Sequence, residues 1–152
     1  MAAALTRIAH RKAHPKSTEK RVDECKRWLI TAEDDLDSAV ILRKNGKFAH
    51  SCFHAQQAGE KALKAAWYLS DADPWGHSVK KLIEDLENVN DSFYEVLRSF
   101  IRIGMVLDRF YIPTRYPNGL PEITPDAAFT AEDADTCIAS ATEIVRAVRS
   151  LV

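Results

Sequence analysis

The chain has 152 residues, of which 46% are hydrophobic and 28% charged, and its formal net charge is -1. That length makes one domain with a real hydrophobic core, and the composition is ordinary for a soluble globular protein; near-neutral charge gives no global reason to expect nucleic acid, DNA included, as a partner. No apolar run reaches the roughly 18 residues that a membrane span requires, and three scattered cysteines, Cys25, Cys52 and Cys137, make no disulfide framework and argue for reduced thiols in the cytoplasm.

Residues 1–16 read as an irregular, flexible basic lead-in or linker, with residues 17–152 as the domain proper. The first ten residues lack a signal-peptide core, and their acid-poor, basic character is shared with mitochondrial presequences. Residues 1–30 hold eight Lys or Arg against three acids, a local excess that can steer anions or simply form a solvated arm. Ser17 or Thr18 caps a first helix running to about Lys44. Its inward stripe is Val22, Cys25, Leu29, Ala32, Leu36 and Ala39, at alternating three- and four-residue steps. Asn45-Gly46 stops it, and a second helix over about Lys47–Ser70 returns antiparallel. After a loop at 71–76, a short helix is predicted from about Ser78 to Glu87. Another, capped by Asp91 or Ser92, is predicted from Phe93 to about Tyr111. Four prolines, Pro113, Pro117, Pro121 and Pro125, rule out regular helix over nearly all of 112–129, and a loop of that length is often functional or interfacial. Thr130 to Asp133 forms a capping arrangement for the last helix, with Ala134, Ile138, Ala141, Val145 and Val148 inward. The pattern predicts an all-α antiparallel bundle of about five helices.

The second helix carries the most distinctive pattern. Cys52, Ala55, Gly59, Ala62 and Ala66 form a stripe of small residues that admits a neighbouring helix closely. Beside it, Gln56, Gln57, Glu60, Lys61 and Lys64 make a polar, net-basic shoulder. Lys61 and Lys64 share a face, Lys80 and Lys81 follow His77, and Arg115 lies beside Tyr116, an aromatic able to stack on a base while the guanidinium pairs with phosphate. These groups can form a basic cleft. They can equally be a solvated face, with Arg115 paired to an acid such as Glu60. The five glycines form no Walker-like run, so a bound nucleotide would be held rather than hydrolysed. His50, Cys52 and His54 do not share the spacing of a metal site, and no metal, catalytic residue or required cofactor is assigned. Trp28, Trp67 and Trp75 read as core and interface rather than as a stacking platform.

Several of these segments together resemble HEPN domains, small helical bundles named for nucleotide binding in higher eukaryotes and prokaryotes. The similarity runs through Ala32, Asp35-Leu36 and Ala39, then Gln56-Gln57-Ala58-Gly59-Glu60-Lys61-Ala62-Leu63-Lys64, then Gly76-His77-Ser78, and finally Tyr111 with Arg115-Tyr116-Pro117. Within the family the chain is most similar to sacsin-type C-terminal domains, those of a giant chaperone-related protein. The resemblance implies a homodimer, with Arg115, Tyr116, Pro117 and Asn118 at its interface. It also implies nucleotide binding (GTP or ATP) and a chaperone-system setting; the expected site, if the fold brings them close, is Gln56, Lys61, Lys64, His77, Lys80, Arg115 and Tyr116. Some relatives are metal-independent ribonucleases with an Arg and a His separated by four to six residues, late in the bundle. This chain has no histidine after His77, and Arg43 with His50 straddles the Asn45-Gly46 turn. A non-catalytic nucleotide-binding module is therefore expected, with a pure dimerisation module and a ribonuclease with a displaced site as alternatives.

Overall fold

The structure, a computed structural model, describes residues 15–152; most of the expected lead-in thus lies outside the described residues. Within them the fold is all-α, with no strand. α1 spans Thr18–Lys44 and α2 Phe48–Leu69. α3, Val79–Asp85, runs on into a 3-10 turn at Leu86–Asn88. α4, Asp91–Leu97, and α5, Ile101–Asp108, are joined by a 3-10 turn at Arg98–Phe100. A single turn of helix, α6, covers Pro125–Ala128, and α7 covers Ala131–Arg149.

The bundle centres on α2. α1 packs along one side of it and α7 along another, while α3 and α5 pair with each other and close over its remaining face. The α1–α2 hairpin turns where Gly46 takes φ 75°, a left-handed value glycine tolerates at no steric cost. All five small residues of the α2 stripe are buried. At Gly59 an added Cβ would meet Leu107 Cδ1 at 2.8 Å, so the tip of Leu107 from α5 packs into the space a side chain on α2 would take. Cys25, Leu29, Ala32 and Ala39 of α1 are buried as expected, with Val22 and Leu36 only half-buried. Cys52 and Cys137 are both buried, in α2 and α7; hydrogen bonding to Cys52 and burial push the Cys137 thiol far above its ordinary range.

Local signals set most of the helix ends. Ser17 Oγ accepts from the Lys20 amide, and Thr130 and Asp133 form a reciprocal capping box. Three expectations need correction. The cap before α4 is Asn90, whose side chain accepts from the Phe93 amide, rather than Asp91 or Ser92. The single helix predicted over 93–111 is interrupted. In one continuous helix Leu97 and Leu107 would point about 80° apart, whereas three residues at 3-10 pitch reduce that to about 20°, and both side chains are fully buried. The Pro-rich segment also contains regular structure: Pro125 occupies the first turn of α6, where its missing N–H costs nothing, and Thr124 caps it.

Candidate functional site

The polar shoulder of α2 points inward, not to solvent. Gln56 is fully buried and Glu60 is 3% exposed. Glu60 is saturated with donors. Lys64 Nζ donates to its Oε1 at 2.8 Å, and the Nε2 amides of Gln56 and Gln57 donate to its Oε2 at 3.1 and 3.2 Å. His77 Nδ1 lies 2.9 Å from Oε1. A carboxylate so placed fixes the ring and leaves Nε2 directed away from it, on a side chain that is 58% exposed. The His77 backbone is held as well, its carbonyl accepting from Gln56 Nε2 at 3.2 Å. Just beyond, Asp108 at the end of α5 accepts from Ser78 Oγ and from the amides of Val79 and Lys80, fastening the start of α3.

Tyr111 joins this cluster to Arg115. The His77 ring stacks on Tyr111 at 5.0 Å between centroids and 21° between planes. The Arg115 guanidinium sits 4.4 Å from the same ring centroid, 4.6 Å from Phe53 and 5.1 Å from Tyr116, a cation held by three aromatic faces. Its Nε donates to the Tyr111 carbonyl at 2.8 Å. The two terminal nitrogens, the fork that recognises carboxylate or phosphate, have no carboxylate partner among the described residues. Tyr116, Pro117 and Asn118 beside it are exposed.

Of the seven residues expected to bind nucleotide, Gln56, Lys64 and His77 meet at Glu60, and Arg115 and Tyr116 stand next to them across Tyr111. The other two go elsewhere. Lys61 Nζ donates to Asp35 Oδ2 of α1 at 2.6 Å, and Lys80 pairs with Glu84 within α3 at 3.3 Å. A cleft lined by free lysines is therefore not what the chain builds: Lys61, Lys64 and Lys80 each have an internal carboxylate. The alternative pairing of Arg115 with Glu60 is also absent, because Glu60 is taken by Lys64 and His77. Burial raises the cost of charging Asp35, yet the nearby His54 and the hydrogen-bonded Lys61 outweigh it and hold its carboxyl below the usual range. Of the tryptophans, Trp67 is buried with its indole N–H donating to the Leu82 carbonyl at 3.0 Å, Trp28 packs on Tyr68, and Trp75 is exposed. No cluster of three metal-ligating side chains occurs among the described residues, and no described helix is long and apolar enough to cross a membrane.

Glu60, Gln57, Phe53, Tyr111 and Asp108 also build the site; Glu60 and Gln57 stood out in the sequence as helix-shoulder residues and Tyr111 as part of the family resemblance, whereas nothing local marked Asp108. The arrangement sets against one tyrosine ring a histidine whose Nε2 is directed away from Glu60 and an arginine with no carboxylate partner among the described residues. A guanidinium fork of this kind can hold an anion, and a phosphate above all.

Residues 25–151 match the model of the HEPN domain. A candidate toxin of Methanocaldococcus jannaschii is 28% identical over 132 residues, 84% of this chain and 87% of that protein. Among solved structures, a protein from Thermus thermophilus superposes with a TM-score of 0.77 at 33% identity, covering 85% of this chain and 98% of its own. An archaeal HEPN homologue gives 0.69 at 30% identity, covering 84% and 97%. A HEPN domain protein from Thermotoga maritima gives 0.63 at 27% identity, covering 82% and 96%.

Proposed function

The chain belongs to the HEPN family, and we propose that it is a non-catalytic member that binds a nucleotide of the GTP or ATP kind. One observation carries this reading: Arg115 is immobilised by three rings and the Tyr111 carbonyl, while its terminal nitrogens remain uncommitted. A guanidinium held this way loses little freedom when it accepts a phosphate, so more of the interaction remains as affinity. Tyr116 supplies an exposed ring for the base, and His77 Nε2 a second contact for phosphate. Dimerisation through Arg115, Tyr116, Pro117 and Asn118 is part of the same proposal, supported by the exposure of Ile112, Tyr116 and Ile123 along that segment. The sacsin-type resemblance supports a cytoplasmic, chaperone-associated setting for the module.

Calorimetric titration of the protein with GTP and with ATP tests the reading. Saturable binding that weakens at least about tenfold in Arg115→Ala, as expected for loss of a charge-assisted pair, supports it; no heat from either nucleotide refutes it. The candidate-toxin name of the relative and the meeting of His77 with Arg115 on one ring favour a second reading, cleavage of RNA with His77 as general base and Arg115 on the phosphate. RNA cleavage by the wild type that disappears in His77→Ala would replace the binding reading with this one.

A further inference from the structure

The proposed function gives no role to the basic run that precedes α1. From Met1 to Thr18 the chain holds four cations, Arg7, Arg11, Lys12 and Lys16, and no acid. Where the described chain begins, Lys16 is already fastened to a distant part of the bundle. Its amide donates to Asp71 Oδ1 at 3.3 Å, 55 positions along the sequence. Its Nζ lies 5.9 Å from the centroid of the Tyr68 ring and 3.9 Å from Glu24. Asp71 is buried, and at φ 55° it takes the left-handed conformation that aspartate tolerates better than most residues. The residues before Lys16 therefore enter beside the loop at 71–76, between α2 and α3.

That loop is the electrostatic complement of the lead-in. From Ala65 to Val79 the chain holds two acids, Asp71 and Asp73, and no lysine or arginine. Asp71 accepts from the Lys16 amide, whereas Asp73 is exposed. Trp75 is 73% exposed, although a ring of that size gains much from a contact. Tryptophan is also the best aromatic face for a cation. Reach does not limit the encounter. Arg11 stands five residues before Lys16 and spans up to roughly 17 Å, while Trp75, four residues after Asp71, is at most roughly 14 Å from it. The tether at Lys16 makes the encounter intramolecular, with an effective concentration on the order of millimolar, so that weak contacts suffice.

We propose that the lead-in is an intramolecular strap: Arg11-Lys12 lies across the 71–76 loop, one cation on the Trp75 ring and the other paired with Asp73. The same loop delivers His77 two residues after Trp75, so the strap borders the candidate site without using any residue of it. The contact requires neither a nucleotide nor a second copy of the chain, and it stands or falls apart from the nucleotide reading.

Limited trypsin digestion of the full chain, with the cuts identified by mass spectrometry, tests the strap. Cleavage after Arg11 and Lys12 should be at least about fivefold slower in the wild type than in D73N/W75A, the combined effect of losing one ion pair and one cation–π contact. Equal rates overturn the proposal. Should cuts within α1–α7 show that D73N/W75A has lost its fold, R11Q/K12Q decides instead, since both changes lie outside the bundle. Its indole N–H resonances are compared with those of the wild type by NMR. The Trp75 resonance should move, while those of Trp28 and Trp67 stay in place. Trp75 unmoved, or all three shifted alike, overturns the proposal.

Discussion

A carboxylate that is 3% exposed, as in Glu60, is tolerable only when its charge is fully met, and four side chains meet it here. Removing one partner from such a group costs more than the hydrogen bond alone, because the desolvated charge remains. Asp35 of α1 is a less buried version of the same device, with Lys61 and His54 of α2 beside it. Because its folded pKa is depressed, it contributes stability that is fully present above the unfolded value of about 3.9 and is lost as pH falls through the folded one. Asp35→Asn should therefore lower the urea midpoint near neutral pH, with the gap to the wild type narrowing toward about pH 3. A gap of constant size over that range would show that the pair does not set the acid limb. The sequence displayed Glu60 and Asp35 as ordinary charges on helices. Their partners explain why more could not be read. His77 reaches Glu60 from a loop 17 positions away and Lys61 reaches Asp35 across 26, and no local pattern announces either pairing.

At the scale of elements, the contact between α2 and α5 decides where the site stands. The tip of Leu107 occupies the space that a Cβ at Gly59 would take, and the packing of α5 on α2 brings Asp108 to the start of α3 and Tyr111 to His77. Filling the space should push α5 away. Gly59→Leu is expected to destabilise the protein by about 1–3 kcal/mol, the usual cost of overpacking a tight core, as read from urea denaturation. A variant as stable as the wild type would mean that the contact is soft. The small-residue stripe that allows this approach was legible, as were the Asn45-Gly46 turn and the Thr130–Asp133 capping box, because each is a local pattern with a local cause. The break between α4 and α5 was not, since it answers to the direction in which Leu97 and Leu107 must point. The helical turn at Pro125–Ala128 was hidden by reading proline as a breaker where it serves as a first-turn residue.

For the molecule as a whole, the all-α bundle and the HEPN resemblance were both available in the chain, through helical periodicity and through the paired motifs around Gln56–Lys64 and Arg115–Pro117. What tertiary structure added is the distribution of charge. The lysines that suggested a basic cleft are neutralised from within, and of the residues expected to hold nucleotide, Arg115 has no carboxylate partner among the described residues and is caged by Phe53, Tyr111 and Tyr116. That cage is the central claim, and side-chain nitrogen NMR tests it most directly. On titration with GTP or ATP, the terminal guanidinium resonances of Arg115 should shift and saturate, while the Nζ resonances of Lys61 and Lys64, already held by Asp35 and Glu60, stay in place. Shifts confined to the lysines, with Arg115 unmoved at saturating nucleotide, would contradict it.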